Sequence, residues 1–225
     1  MNYLVATIKS WNVDQFNKLK ENDKGNQWFL ITEKEQLTFD FLQKINPRYI
    51  FFPHWSWIIR EEIWRNYECV VFHMTDLPYG RGGTPLQNLI LRGKKETKVS
   101  AIKVTAGLDA GDIYMKYKLD LKGRAGEIYK RLAKITFEKM IPKIIGGNLR
   151  SVKQKGRVVI FKRRKFEESE LPKDVGIKKI YDHIRMLDAE SYPMASLKYG
   201  KIRMEFTKAN FKDGKLTAKV EFYEK

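Results

Sequence analysis

The sequence has too few of the residues needed to build disulfides or membrane spans. Its 225 residues include one cysteine, Cys69, which excludes an intrachain disulfide and a zinc site built from cysteines. The longest apolar stretch, residues 49–59, is shorter than the roughly 18 residues that a membrane helix needs, and Pro53 and His54 interrupt it. No Lys or Arg occurs among the first five residues, so no secretory signal is indicated. We therefore expect a cytoplasmic protein without a membrane segment.

Acidic residues are scarce, since 27 Asp and Glu stand against 44 Lys and Arg, for a net charge of +17. Residues 1–80 hold 9 basic and 10 acidic residues, whereas residues 81–225 hold 35 and 17. Such asymmetry indicates either a basic face for an anionic partner or a solvated, lysine-rich surface. A content of 43% hydrophobic and 13% aromatic residues is enough for a sizeable core, which excludes a disordered chain.

Short apolar runs alternate with amphipathic segments in the first third of the chain, and this alternation predicts an α/β fold. The predicted strands are residues 3–8, 28–31, 49–52 and 69–72, and Asn12 and Thr32 are predicted to cap two of the intervening helices. Strands that are apolar throughout and separated by helices favour a Rossmann-like, mostly parallel sheet. Further strands at 99–104 and 113–119 precede a long helix at 126–145.

This pattern divides the chain into three parts. Residues 1–150 are predicted to form the main domain, and residues 151–175 a basic connector rich in turns. Residues 176–225 are predicted to form a small α+β appendage, with one helix at 177–187 followed by strands joined by glycine-containing turns.

Candidate polar groups follow the buried strands. His54 comes after the third strand and His73 after the fourth, and functional groups in such sheets gather at the carboxyl ends of the strands. Asp109 lies 36 positions after His73, in a turn between two predicted strands. An imidazole and a carboxylate in one cleft are the groups needed for proton transfer. The sequence has no G-x-G-x-x-G after the first strand and no G-x-x-x-x-G-K-[ST], which disfavours dinucleotide-binding and P-loop chemistry.

Two segments resemble a known family. Residues 73–87 read HMTDLPYGRGGTPLQ and residues 107–113 read GLDAGDI. They are similar to the N-x-H-x-S-x-L-P-x-x-R-G and L-D-x-G-D motifs of the N10-formyltetrahydrofolate-dependent formyltransferases, which act on methionyl-tRNA, glycinamide ribonucleotide or amino sugars. The resemblance extends through the helix at 126–146 and returns at 184–187 and 192–195, so that it covers most of the chain.

The resemblance implies the formyltransferase fold and transfer of a formyl group to a primary amine. By position, His73 polarises the formyl oxygen or moves protons, and Asp109 orients it. The family asparagine two residues before the histidine is replaced here by Val71, which has no hydrogen-bond donor. Loss of one such donor costs about 10²–10³ in rate. We predict that His54 substitutes for it, with Thr75 and Asn88 as weaker candidates.

The resemblance also implies binding residues. The segment 52–59 aligns with the loop that holds the pterin of N10-formyltetrahydrofolate in the family, and Trp57 and Ile58 are its candidate contacts. Leu108, Asp109 and Asp112 are further candidate contacts of the folate donor. Arg81 and Gln87 are candidate substrate-binding residues, and no metal is expected.

The acceptor is predicted from two arguments that disagree. The short C-terminal region resembles sugar N-formyltransferases and favours a nucleotide-linked 4-amino sugar, whereas the basic charge favours tRNA. Length is given more weight, so the sugar nucleotide is the main expectation and methionyl-tRNA the alternative. A homologue that binds folate or sugar nucleotide without turnover is kept as another alternative because of Val71. A homodimer is left open.

Overall fold

The computed structural model describes residues 1–147 and 149–224, and the backbone in these ranges divides into two compact units. Unit 1 contains Met1–Arg81, Lys98–Leu119 and Lys130–Ile160. Unit 2 contains Gly82–Thr97, Asp120–Tyr129 and the chain from Phe161 onward. The units therefore do not follow the predicted linear boundaries at 150 and 175, because the chain leaves unit 1 and returns to it twice before the C-terminal region begins.

Unit 1 is built on a six-stranded sheet. Its strands are β1 (Asn2–Ala6), β2 (Gln27–Ile31), β3 (Tyr49–Phe52), β4 (Cys69–His73), β6 (Glu96–Lys103) and β7 (Ile113–Asp120). The strand order is β2-β1-β3-β4-β6-β7, and β1 pairs in parallel with β2 and β3, as β3 does with β4. The helices between the first four strands are α1 (Ser10–Asn22), α2 (Phe39–Ile45) and α3 (Glu61–Asn66). The predicted α/β class and mostly parallel sheet are confirmed.

Strand β6 departs from the parallel arrangement. It pairs antiparallel with β4, with His73 opposite Ser100 and Val70 opposite Lys103. The end of β6 therefore lies beside the beginning of β4, whereas His73 lies at the other end of β4. The prediction that the end of a parallel strand brings Asp109 near His73 is therefore wrong. The loop after Lys103 has to run back toward His73 to place Asp109 beside it.

Apolar side chains explain why the sheet is buried on both faces. Leu4, Ile50 and Phe51 have no measurable exposure, and Phe52 is 1% exposed. One cluster on the sheet joins Leu4, Ile50 and Phe52 to Leu42 of α2 and Ile63 of α3. Burying an aliphatic or aromatic side chain of this size contributes about 1.5–3 kcal/mol, which makes the sheet a rigid support for the loops at its edge.

Two predicted helix caps are wrong. Helix α1 begins at Ser10, and Asn12 is buried inside it, where its amide nitrogen donates to Thr7 Oγ1 at 2.9 Å and to the Pro53 carbonyl at 3.3 Å. Helix α2 is capped by Thr38, whose hydroxyl accepts from the Phe41 amide, rather than by Thr32. Asn12 instead joins the residues that follow β1 and β3, and its side chain satisfies the buried Pro53 carbonyl.

The long helix predicted at 126–145 is divided into three parts. Helix α5 (Ala125–Ile135) is followed by a π-helical turn (Thr136–Met140) and then by α6 (Ile141–Gly146). Pro142 lies in the first turn of α6, directly after the π-helical turn that interrupts the regular hydrogen-bond ladder. None of the helices in the described ranges is long and apolar enough to cross a membrane.

Unit 2 contains helix α4 (Pro85–Leu91), helix α7 (Ile177–Leu187) and a three-stranded antiparallel sheet. The strands of this sheet are β9 (Ala195–Tyr199), β10 (Ile202–Lys212) and β11 (Lys215–Glu224). Helix α7 packs on α4 and on β10. Two short strands, β5 (Tyr79–Gly82) and β8 (Val159–Phe161), form a separate pair. The predicted α+β character of the C-terminal region is confirmed.

Candidate active site

His73 and Asp109 lie together, as their motifs predict. The Nδ1 atom of His73 is 3.5 Å from Oδ2 of Asp109, and the side chains are 9% and 14% exposed. The other ring nitrogen, Nε2, is 2.8 Å from the Gly80 carbonyl oxygen. A neutral imidazole has one N–H and can donate to one of these acceptors, whereas the imidazolium can donate to both. The pair is therefore arranged to accept and return a proton.

The turn after β4 determines the position of the His73 ring. The Thr75 hydroxyl also donates to the Gly80 carbonyl, at 3.2 Å. Ser100 of β6 donates to the Thr75 carbonyl at 2.7 Å and accepts from the Leu77 amide at 3.3 Å. Thr75 and Ser100 are fully buried. The Thr75 hydroxyl is thus a structural group within this turn, which removes it from the candidates for the missing donor.

The Asp109 loop is constrained by its backbone. Asp109 has a φ of 48°, in the left-handed region that aspartate tolerates better than most residues. A side chain at Gly111 would place its Cβ 1.7 Å from the Lys103 carbonyl oxygen, so only glycine fits. Next to it, the Asp112 carbonyl accepts from the Lys103 amide at 2.9 Å. The L-D-x-G-D motif therefore has a local physical cause, and half-buried Asp112 lies at the base of the loop.

Arg81 does not point at an empty site, although the resemblance suggests a substrate contact. Its Nε and Nη2 donate to Oε1 of Gln154 at 3.1 and 2.7 Å. The Gln154 amide nitrogen then donates to the carbonyls of Asp109 and Gly111, both at 2.8 Å. Gln154 lies in the predicted connector, and sequence reasoning missed it because nothing in a polar, basic stretch distinguishes one glutamine.

Val71 occupies the place of the family asparagine and faces the same way as His73, because residues two apart on a strand share a face. It is half-buried and packs against Leu77, Ile102 and Ile113. The position has become part of an apolar cluster, so any hydrogen bond to a developing oxyanion must come from another group.

His54 lies just beyond β3, the neighbour of β4 in the sheet, with a φ of 54°. Its ring meets Trp11 edge-on at 5.6 Å between centroids. Desolvation, with a smaller contribution from the Lys9 charge, lowers the pKa of His54 to about 3. The imidazole is therefore neutral at physiological pH and carries a single N–H.

The predicted folate contacts include unusually exposed apolar side chains. Ile58 is 92% exposed, Leu108 69% and Trp57 38%. The Trp57 ring lies 4.8 Å from that of Trp55. Single exposed apolar residues are common, but an exposed indole and isoleucine in one short loop offer a flat surface on which a ring can stack.

Two predicted residues are structural. Gln87, a candidate substrate contact, is 1% exposed within unit 2, and its amide nitrogen donates to Tyr129 Oη and to the Met186 carbonyl. Asn88, a candidate donor, binds the carbonyls of Gly83, Thr84 and Lys162 through its amide nitrogen, and its oxygen accepts from Arg92. The amide nitrogens of both side chains donate to protein groups, so neither is available as the missing donor.

No group of three or more His, Cys, Asp or Glu side chains that could hold a metal ion occurs in the described part of the chain. The candidate site places the imidazole at the end of β4 beside a carboxylate of the loop after β6, and the aromatic loop after β3 lies at the same end of the sheet as His73. Such a site can move protons during attack of a nucleophile on a carbonyl carbon.

Comparison with known proteins connects this geometry to named families. A family model described as "Methionyl-tRNA formyltransferase, C-terminal domain" matches residues 166–223. The methionyl-tRNA formyltransferase of Rickettsia felis is 30% identical over 142 residues, which are 61% of this chain and 47% of that protein. The chain therefore spans about half the length of the curated relatives that it matches.

Two solved structures resemble this chain to different degrees. A structure titled "Methionyl-tRNA formyltransferase from Clostridium thermocellum" has 54% sequence identity and a TM-score of 0.98, with both chains covered over 100% of their length. A 4-N formyltransferase from Francisella tularensis has 14% identity and a TM-score of 0.69, covering 88% of this chain and 93% of that one, which indicates a shared fold only. The family model described as "Formyl transferase" matches residues 10–145, more than half of the chain and the part that contains His73 and Asp109. The chain therefore belongs to the formyl transferase family.

Proposed function

We propose that this protein transfers the formyl group of N10-formyltetrahydrofolate to the primary amine of an aminoacylated tRNA, in the manner named for its methionyl-tRNA formyltransferase relatives. The observation that carries the proposal is the His73–Asp109 pair, 3.5 Å apart and formed by the two motifs of the family. Membership of the formyl transferase family supports formyl transfer as the reaction class. In our proposal, the His73–Asp109 pair moves the proton that the attacking amine loses in this reaction.

The reaction requires one bond to form and another to break. The amine nitrogen attacks the formyl carbon, and the carbonyl electron pair moves to oxygen. Collapse of the tetrahedral intermediate breaks the bond to N10, and the proton lost by the amine is delivered to N10. In our proposal, Asp109 holds the His73 ring, and the pair takes up and returns this proton.

The developing oxyanion needs a donor, and Val71 cannot supply one. We assign this role to His54, because its neutral imidazole carries an N–H and because β3 and β4 run parallel and end at the same edge of the sheet. A donor of this kind is typically worth about 10²–10³ in rate. The non-catalytic alternative would require that no such substitute exists.

The folate donor is assigned to the aromatic loop. Trp57 and Ile58 present apolar surface to solvent, and Leu108 does so beside Asp109. Burial of such surface against a pterin ring would gain about 25 cal/mol for each Å² that is removed from water. Asp112 is kept as a further candidate contact.

The acceptor assignment departs from the expectation of a sugar nucleotide. That expectation rested on the short C-terminal region, but the Clostridium thermocellum protein matched over its full length bears the name methionyl-tRNA formyltransferase. Length therefore no longer favours a sugar. Residues 81–225 hold 35 basic and 17 acidic residues. This excess of positive charge supports a polyanionic acceptor such as tRNA, because the diphosphate of a sugar nucleotide needs only one or two cations.

The test is a formyl-transfer assay with N10-formyltetrahydrofolate and two acceptor classes, charged initiator tRNA and a panel of 4-amino-sugar nucleotides. We expect turnover with methionyl-tRNA, and tRNA binding that weakens steeply as salt rises from 50 to about 200 mM. Turnover restricted to a sugar nucleotide would reverse the acceptor assignment. Tight folate binding without turnover of any amine would overturn the proposal and favour the non-catalytic alternative.

A further inference from the structure

Gln154 connects a cation to the backbone that carries the candidate carboxylate. The two donors of Arg81 reach the same oxygen, Oε1, at 3.1 and 2.7 Å. The amide nitrogen on the opposite side of Gln154 reaches the Asp109 and Gly111 carbonyls, both at 2.8 Å. All of these residues belong to unit 1.

The two ends of a glutamine amide are easily exchanged, but here the surroundings determine the orientation. A guanidinium has donors and no acceptor, so it requires the oxygen of Gln154 on its own side. The nitrogen must then face the loop, where two carbonyls need donors. Arg81 thus selects the orientation in which the Gln154 amide nitrogen binds the loop, and Arg81 acts on the loop through Gln154.

The segment around Gln154 is anchored independently. Val152 and Ile113 exchange two backbone hydrogen bonds of 2.9 and 2.8 Å, which place the segment beside the beginning of β7. Gly156 lies close to Pro78, since a Cβ there would be 3.8 Å from the proline ring. Gln154 therefore approaches the loop from a fixed position, and the loop is held from outside as well as by its own turn.

We propose that Arg81 and Gln154 are a positioning pair that holds Asp109 at its distance from His73; its catalytic consequence rests on the proposed function. The physical argument is that Asp109 has left-handed backbone geometry at the tip of a loop that must return across the sheet. The two external donors to the Asp109 and Gly111 carbonyls add to the internal turn in holding this loop in place. Displacement of a reacting group by about 1 Å costs up to about 10²-fold in rate.

The decisive variant is Gln154→Glu. It keeps an oxygen for Arg81 and the same side-chain shape, but it replaces the donor to the loop with a carboxylate that repels both carbonyls. The matched control is Gln43→Glu, which makes the same change at an exposed position of α2. We expect Q154E to lower kcat by about ten- to a hundredfold with KM for the acceptor within about twofold, and Q43E to behave as the wild type.

A second readout does not depend on activity. Hydrogen–deuterium exchange should be faster in Q154E over residues 104–112, including the Ala110 amide, which is bonded to the Gly107 carbonyl. Exchange in β1 and β3 should be unchanged, which excludes general loss of folding. If the wild-type protein proves to lack formyl transfer, this measurement still tests the positioning pair, so the two failures can be told apart.

A double-mutant comparison shows whether Gln154 acts through Asp109. In an Asp109→Asn background, Q154E should cost less than about twofold, because the carboxylate that it positions has been removed. Arg81→Lys keeps the charge but loses the two-donor contact, and its effect should not add to that of Q154E. If D109N activity falls below detection, the exchange measurement decides.

Three results would overturn the proposal. The first is wild-type exchange over residues 104–112 in Q154E. The second is a rise in KM for the acceptor with unchanged kcat in R81K, which would restore Arg81 to the predicted role of substrate contact. The third is an undiminished effect of Q154E in the D109N background.

Discussion

His54 follows strand β3 and His73 ends the neighbouring parallel strand β4, yet their surroundings differ in kind. His73 has an acceptor at each ring nitrogen, the Asp109 carboxylate and the Gly80 carbonyl. His54 meets the edge of Trp11, and the nearby Lys9 charge adds to desolvation in lowering its pKa. His73 thus has two hydrogen-bond acceptors around its ring, whereas the surroundings of His54 keep its imidazole neutral.

The difference shows that a position at a strand end does not determine the chemistry of a histidine. The neighbouring side chain determines it. For His73 that neighbour is Asp109, which lies on the loop after the antiparallel strand β6. Three substitutions and one pH series test this contrast.

The largest effect is expected from His73→Asn, which preserves polarity and approximate size but cannot move a proton. We expect kcat to fall by about 10³-fold, within the range for loss of a general acid–base group. Steady-state kinetics with saturating N10-formyltetrahydrofolate measures this, with circular dichroism as the folding control. Retention of more than a tenth of the activity would refute the role of His73.

His54→Phe should have the next largest effect. Phenylalanine retains a ring to pack against Trp11 but has no N–H, so we expect kcat to fall by about 10²-fold if the imidazole replaces the missing amide donor. Wild-type kinetics in this variant would assign His54 to packing alone and would leave the oxyanion without a protein donor.

Val71→Asn restores the family side chain and should partly compensate for H54F. In the H54F background we expect kcat to rise about tenfold, because the new amide lies on the same face as His73. Val71→Ala serves as the control for simple loss of packing against Leu77 and Ile102. Equal kinetics of the V71N and V71A variants would show that this position no longer faces the reaction.

The smallest effect concerns stability and pH. Because the folded-state pKa of His54 lies near 3, below the usual value of 6.5, the unfolded chain takes up a proton that the folded chain does not. Stability is therefore lost as pH falls below about 6.5, by about 1–2 kcal/mol at pH 5. His183, whose pKa is also lowered by desolvation, contributes in the same direction, so the difference between wild type and H54F isolates His54. Equal slopes of Tm against pH in the two proteins would contradict the assignment.

The alternating pattern of the first third was sufficient to predict β1 to β4 and the α/β class. Each of these strands is a short apolar run, and Tyr49–Phe52 was placed correctly at both ends. The caps were less predictable, since Asn12 has the side chain of a helix cap but is used to join Thr7 to Pro53. A residue that can satisfy either a local or a distant backbone group cannot be assigned from its neighbours in sequence.

The site shows the same limit. His73 and Asp109 were predicted from their positions at strand ends and from the two family motifs, and the second motif has a local cause in Gly111 and the left-handed backbone of Asp109. Gln154 lies 45 positions beyond Asp109. It can donate to the loop carbonyls only because the contact with Arg81 orients the Gln154 amide nitrogen toward the loop. Gln87 shows the converse case, because it was predicted to contact the substrate and is buried in the interior of unit 2.

The discontinuous composition of unit 2 also limits how the protein can be shortened. The buried residues of α4 include Leu86, Leu89 and Ile90, and the Gln87 amide depends on the Met186 carbonyl. A truncation after residue 160 would leave that helix with its apolar side uncovered and its glutamine unsatisfied. Residues 161–225 are therefore not a detachable tail, and exchanging them for a different C-terminal region would require matching changes in α4.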